Sequence, residues 1–587
     1  MRGLCYTSPM KKISLWIGLC VFMLMVVIAL FRAVPLQSIN PLDDDRPTAV
    51  SVVRIYYDDL AQVKILNSFD LFEYNNRLEK YLLAAVDEAE VQMLQTLGFR
   101  VEIDARQTEA LIPTIDPKLE QDGGIPGYAC YRTVEETFAT AVDIVAAHPT
   151  LASWSDIGDS WDKIMPGGEP GYDLMVLKLT NQAIPGPKPV IFIMTGLHAR
   201  EYAPPELSTR FAELLAANYG INADITWLLD YHEIHLLLQA NPDGRKYAET
   251  GLYWRKNTNQ NYCSPTSNNR GADLNRNFEF QWGCCNGSSP NECDGTYRGP
   301  VAVSDPEVQS IQAYERSIFP DQREDDFDAA APDTAMGVFL DVHSFGQEIL
   351  WPWGWGNPVA PNGIQLQTLG RKLAYFNNYA PFQAVGLYPT DGTSDDFAYG
   401  DLGVAAFNFE IGTTFFQDCV TFENQILPDN LEAFLYAAKT ARMPYLQPAG
   451  PDVATLTLSH LIVAAGTPVD LTAQVDDTRF NHSEGEEPTQ LVSAAEYFVD
   501  VPFWDSDNNP VAVPMDALDG AFNGKVETAV ATIDTSEWTV GKHTIFVRGQ
   551  DSDGNWGVVT AVFLEIEEPI EPPQEMIFLP IQALSGE

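Results

Sequence analysis

A histidine and a glutamate three positions apart, in His198-Ala199-Arg200-Glu201, are answered far downstream by Asp341-Val342-His343-Ser344. Two imidazoles and one carboxylate form the His₂Glu donor set of a catalytic zinc site, in which the fourth position is kept for water. His-x-x-Glu recurs by chance, so its weight rests on what positions it. Apolar strand-like runs precede both histidines, Pro189–Met194 before His198 and Gly337–Val342 before His343. In sheets flanked by helices, chemistry gathers where strands end and loops begin.

Those runs belong to a longer pattern. Between Tyr128 and about Tyr445, helical spacing such as that of Thr133–Ala147 alternates with short apolar strands, which also include Glu233–Gln239 and Val404–Phe409. The pattern implies an α/β fold, a mixed, mainly parallel sheet covered by helices on both faces, over residues 128–445. Ahead of it, residues 46–112 alternate strand (Val50–Tyr57), helix (Glu88–Leu97) and strand (Arg100–Ile103), and read as a small N-terminal α+β segment. Residues 113–127 are rich in Pro, Gly and acid, the composition of an exposed linker open to proteolysis. Helical spacing disappears over 451–567, where short strands punctuated by turns predict a C-terminal β-sandwich, and a Pro/Glu-rich tail occupies 568–587.

Length and charge bound the rest. The 587 residues are too many for one core, and the net charge of -46 with a pI near 4.3 opposes binding to nucleic acid or anionic membranes. Within residues 1–35, Lys11-Lys12 precede an uncharged apolar run, Ile13–Phe31, and Asp43-Asp44-Asp45 follow it, which predicts export of everything downstream. Whether the run is a cleaved signal or a retained anchor at the outer membrane face stays open. Six cysteines beyond it (Cys130, Cys263, Cys284, Cys285, Cys293 and Cys419) form an even set that suggests disulfides, without fixing their pairing.

Six ordered motifs between Tyr128 and Tyr445 carry a resemblance: Gly196-Leu-His-Ala-Arg-Glu201, Asn241-Pro-Asp-Gly244, Tyr253-Trp-Arg-Lys256, Ala272-Asp-Leu-Asn-Arg-Asn-Phe278, Asp341-Val-His-Ser344 and Phe409-Glu-Ile-Gly412. The chain resembles the zinc metallocarboxypeptidases, in their carboxypeptidase A/B/T branch. The resemblance implies an exopeptidase that uses one Zn²⁺ held by His198, Glu201 and His343 and acts on peptide or protein C-termini. It makes Asp273 the carboxylate that orients a ligating imidazole, Glu410 the general base and Arg255 the group that meets the oxyanion. Asn275 and Arg276 then grip the terminal carboxylate. Tyr388 closes over substrate, and Arg200 assists binding or is an ordinary surface arginine. Asp395 falls at the base of the specificity pocket, with Asp396 beside it leaving the register open by one, and would favour Lys or Arg there. By position and size, residues 46–112 resemble the family's activation segment, removed by an activating protease.

Two other readings use the same residues: a non-catalytic surface protein that captures peptide C-termini, and a zinc amidohydrolase of N-acyl amino acids. The complete ligand and base set argues against the first, and the Asn-Arg-Asn-Phe run against the second. His232 and His235 imitate a metal pair but fall in an apparent strand, where positions three apart face oppositely. Asp505–Asn509 and Asp551–Asn555 could offer oxygens to Ca²⁺ but lack the spacing of a calcium loop, and read as solvated turns. Nothing in the sequence sets the oligomeric state.

Overall fold

The computed structural model describes residues 50–111, 123–165 and 169–568. The apolar run 13–31, most of the linker and the tail from 569 onward lie outside the described residues. Among the described residues, no helix is long and apolar enough to cross a membrane.

Four strands, β1 (Ser51–Tyr56), β2 (Asp70–Asn76), β3 (Tyr81–Val86) and β4 (Arg100–Ile103), form an antiparallel sheet in the order β2-β3-β1-β4. The helix Glu88–Thr96 starts at Asp87, which exchanges hydrogen bonds with Glu90 in a capping box. This sheet's apolar face does not close on itself. Val53, Ile55 and Leu82 share one cluster with Leu350, Phe382, Leu387 and Tyr388 of the next unit, so the two units bury one another's apolar surface.

The central sheet has eight strands: β5 (Ala152–Asp159), β6 (Asp173–Leu179), β7 (Val190–Thr195), β8 (Glu233–Leu237), β9 (Val338–His343), β10 (Glu348–Trp351), β11 (Ala380–Gln383) and β12 (Ala405–Glu410). Their order is β11-β10-β12-β9-β7-β8-β6-β5. Pairs β8–β7, β7–β9, β9–β12 and β10–β11 are parallel; the other three are antiparallel. Every residue of β7 and β9 is buried, as the apolar runs predict for strands covered on both faces. On one face Phe409 meets Phe434 of the helix Leu427–Thr440. On the other, Phe192 and Phe339 pack together and Phe192 meets Tyr314 of the helix Pro306–Ile318.

Beyond Gly450, two sheets of four and five strands face each other across a core that includes Val469, Leu471, Val475, Ile545 and Leu564. Strand Val469–Asp476 alternates fully buried residues with less buried ones, the period-two signature of a sandwich face. Phe498, Phe546, Val558 and Val559 of this unit join the central sheet's own apolar cluster. Buried ion pairs Lys372–Asp452 (3.0 Å) and Arg371–Glu487 (2.6 Å) reinforce the same contact.

The six cysteines among the described residues are all paired, Cys130–Cys419, Cys263–Cys293 and the adjacent Cys284–Cys285. The histidine decoy needs one correction. His232 caps the helix Ala223–Tyr231 rather than lying in a strand, and only His235 belongs to β8. The helix ends at Tyr231, and His232 takes extended backbone as its cap before β8 begins at Glu233. His235 is held by Tyr314 and Glu233.

Candidate active site

The candidate site residues gather at the carboxyl ends of β7, β9 and β12 and in the loops beside them, and Tyr388 and Asp395 line the same cavity as Glu410. After β7, Gly196 turns the chain at φ 72°, where a Cβ would lie 3.0 Å from Gln239 Oε1 and 3.2 Å from Pro205 Cγ. The loop it opens presents His198 and Glu201 before the helix Ala203–Asn218. Asn241 braces that loop, donating to the carbonyls of Leu197 and Lys256, and Arg245 donates to the carbonyl of Glu201 at 2.9 Å. His343 is the last residue of β9 and Glu410 the last of β12, directly opposite each other in the parallel register.

His198 Nδ1 lies 2.8 Å from Glu201 Oε1 and 3.0 Å from His343 Nδ1, which is itself 3.2 Å from Glu201 Oε2. All three side chains are buried. Both Nε2 atoms face carboxylates, His198 toward Asp273 Oδ1 at 3.1 Å and His343 toward Asp341 Oδ2 at 2.8 Å. A carboxylate at Nε2 holds the proton there, so each Nδ1 carries a lone pair. Two lone pairs and an ionised carboxylate this close repel one another unless a cation lies between them. The donor set therefore fits a divalent metal, and nitrogen with carboxylate oxygen in a three-ligand arrangement fits zinc.

Around that centre, Asp273 also accepts from Arg255 Nη2 at 3.0 Å and from the Asn275 amide at 3.1 Å. Burial would raise the Asp273 carboxyl, but Arg255 and His198 outweigh it and hold it well below the usual range. Asn275 Oδ1 accepts the Ser394 amide at 3.0 Å. Arg276 is buried and turns part of its guanidinium to the carbonyls of Asn275 (2.7 Å) and Gly287 (3.2 Å). The Glu410 carboxylate accepts no hydrogen bond from any described residue. Burial pushes its carboxyl well above the usual range; His343 opposes the shift, while Glu73, Glu201 and Glu348 add to it.

A narrow cavity of about 30 Å³ is lined by Asn275, Arg276, Tyr388, Asp395, Glu410 and, from β2, Glu73. By that measure the space suits a couple of water molecules and no amino-acid side chain. Asp395 lines it, whereas Asp396 is consumed by the amides of Gly354 and Trp355. Burial raises the Asp395 carboxyl; a Thr393 hydrogen bond opposes this and Asp341 adds to it.

Sequence reasoning missed the residues of the N-terminal sheet that enter this site. Glu73 Oε1 accepts from Arg255 Nη1 at 2.6 Å, so the guanidinium expected to meet an oxyanion is paired with a carboxylate of β2. Asp70, also on β2, pairs with Arg200 at 2.8 Å. Arg200 is not a surface arginine: its guanidinium is buried and lies 4.2 Å from the ring centres of Tyr253 and Phe415. Asn75 donates to the carbonyl of Leu387 at 2.7 Å, next to Tyr388. No local pattern in 70–76 marks these side chains for a site hundreds of residues away. Asp341 did leave a signal, since residues two apart on a strand share a face and Asp341 precedes His343 by two.

A family profile described as zinc carboxypeptidase matches residues 139–435. Among curated proteins, a zinc carboxypeptidase of Saccharothrix mutabilis subsp. capreolus is 32% identical over 335 residues, 54% of this chain and 71% of that one. Human carboxypeptidase B is 30% identical over 318 residues, 52% of this chain and 69% of its own. Among solved structures, carboxypeptidase A from Helicoverpa armigera shares the fold with a TM-score of 0.53 at 21% identity, covering 68% of this chain and 98% of that one.

Proposed function

Since this chain belongs to the zinc carboxypeptidase family and is a zinc metallocarboxypeptidase, we propose that it is exported, is held latent by residues 46–112, and after their release removes basic C-terminal residues from peptides with Glu410 as base. The observation that carries this reading is the convergence of three metal donors, an unpartnered buried carboxylate and the Arg255 guanidinium on one cleft.

His198, Glu201 and His343 would hold the zinc, which would supply Lewis acidity for the attacking water and the peptide carbonyl. Glu410 takes the proton of the attacking water and returns it to the leaving amine; its buried setting suits a carboxylate that must be proton-bearing halfway through the cycle. Arg255 donates to the oxyanion that develops only in the transition state. Asn275 and Arg276 receive the free terminal carboxylate, which restricts cleavage to chain ends. Tyr388 covers the bound residue, and Arg200 assists binding further along the peptide. Asp395, buried without a cation, would accept the Lys or Arg side chain that supplies one.

Latency has its own support. Glu73 and Asp70 hold Arg255 and Arg200, and the cavity is too small for a terminal residue. A protease acting within 113–127 would free them. The three disulfides suit an exported enzyme. Calcium keeps only the two Asp-rich turns in its favour, and peptide is the partner the site fits.

The test is a library of peptide C-termini, offered before and after limited proteolysis, with and without chelator. Chelator-sensitive release of terminal Lys and Arg after proteolysis is expected; no chelator-sensitive release at all defeats the reading. Glu410→Gln should keep zinc while turnover falls roughly 10²- to 10⁴-fold, and undiminished turnover removes Glu410 as base.

A further inference from the structure

Asp341 has no role in the reaction described above, yet it is fully buried at its centre. It lies two residues before His343 on β9, so the pleat puts both side chains on one face. Its Oδ2 is 2.8 Å from His343 Nε2 and also accepts the Ser394 hydroxyl. Ser394 opens the helix Ser394–Leu402, and its neighbour Asp395 lines the cavity. The Asn275 amide nitrogen also sits 3.3 Å from His343 Nε2. That amide is a donor, oriented by the bond its Oδ1 accepts from Ser394, so the closer carboxylate is the acceptor of the imidazole proton.

We propose that Asp341 is a positioning residue for the metal ligand His343. Its carboxylate accepts the Nε2 proton, leaves the Nδ1 lone pair aimed at His198 and Glu201, and through Ser394 ties this ligand to the helix that carries the specificity aspartate. The proposal rests on the zinc reading of the site. It gives each imidazole its own carboxylate, Asp273 for His198 and Asp341 for His343. The two differ in their other partners. Asp273 is also charge-paired with Arg255, whereas among the described residues Asp341 has its ion pair with His343 alone. Losing Asp341 should therefore act on metal retention more than on the oxyanion.

Zinc affinity of the full chain, measured by competition with a chelator of known affinity, tests this, with thermal melting of the metal-free protein as the check on folding. Asp341→Asn should weaken zinc binding about 10-fold and Asp341→Ala up to about 100-fold. Ser394→Ala removes the other bond to the same oxygen without touching the Nε2 acceptor, and should lose less zinc affinity than Asp341→Asn does. Zinc held by Asp341→Asn as tightly as by wild type overturns the proposal, as does an equal loss in Ser394→Ala, which would mark general loosening. Should Asp341→Ala fail to fold, the isosteric Asp341→Asn decides. His343→Ala separates the two levels: wild-type zinc affinity in that variant sinks the metal site itself, whatever Asp341 does.

Discussion

The N-terminal sheet and the C-terminal sandwich flank the same central sheet, and both share apolar clusters with it. They differ in what they send across. From the sandwich come partners for Arg371 and Lys372 of the helix Gly363–Asn377, and Trp504 just beyond its strands packs on Trp227 and Tyr231 of the helix Ala223–Tyr231. From β2 of the N-terminal sheet come Asp70, Glu73 and Asn75, which reach Arg200, Arg255 and the chain beside Tyr388. One flank stabilises the scaffold while the other occupies the chemistry. The difference teaches that a shared core does not define a shared role; charged groups at its margin do.

The largest effect expected from breaking this contrast is on stability. Phe546→Ala removes a sandwich side chain that is 2% exposed within the central cluster. It should lower the free energy of unfolding by about 3–5 kcal/mol, read by denaturant melts, while the folded enzyme keeps its kcat/KM after activation. A loss of kcat/KM without a loss of stability would give the sandwich a role at the site.

Next comes the opposite flank. Glu73→Gln keeps the shape of β2 and removes the charge on Arg255. A charge-assisted hydrogen bond of this kind contributes about 1.5–3 kcal/mol, so peptidase activity of the uncleaved chain should rise roughly 10- to 100-fold, towards that of the proteolysed enzyme. Unchanged activity in Glu73→Gln, with full activity after proteolysis, would assign latency to steric cover rather than to the ion pair.

The smallest effect per group and pH unit concerns the buried carboxylates Glu307 and Asp243. Glu307 accepts from the Trp161 amide and from Asn257. Burial, then Asp305 and Asp243, outweigh those bonds and push its carboxyl up to about 8; burial likewise raises Asp243 to about 7. Between the unfolded values, about 3.9 for Asp and about 4.3 for Glu, and these folded values, the folded state binds more protons than the unfolded chain. Stability from this pair is thus fully present below the unfolded values and is lost as pH rises through about 7 and about 8. Thermal melting between about pH 6 and about pH 9 should decline by up to about 1.4 kcal/mol per pH unit and group, and Glu307→Gln should flatten the slope. An equal slope in the variant would remove Glu307 as its source.

How much of this was legible beforehand follows from the range over which each signal acts. Almost wholly apolar runs at 189–194 and 337–342, the second interrupted by Asp341, announced buried strands because covering both faces leaves little polar alternation. His198 and Glu201 were readable because they share one short loop, and Asp341 with His343 could have been paired by alternation along one strand. His232 was misplaced because a helix end and a strand start meet there within one residue. Glu73 carried no signal at all: on β2 it is one acidic residue among many, and its meaning comes from an arginine in a distant loop.

The sequence by itself determined the donor set, the motif order and the alternation of strands and helices, since those depend on residue types and short spacings. Only the tertiary structure decided that β2 enters the cleft, that Asp395 rather than Asp396 lines it, and that each imidazole meets a carboxylate of its own. These outcomes depend on which long-range pairings close the sheets, and a buried charge takes its partner from whatever the closed fold brings within hydrogen-bond distance.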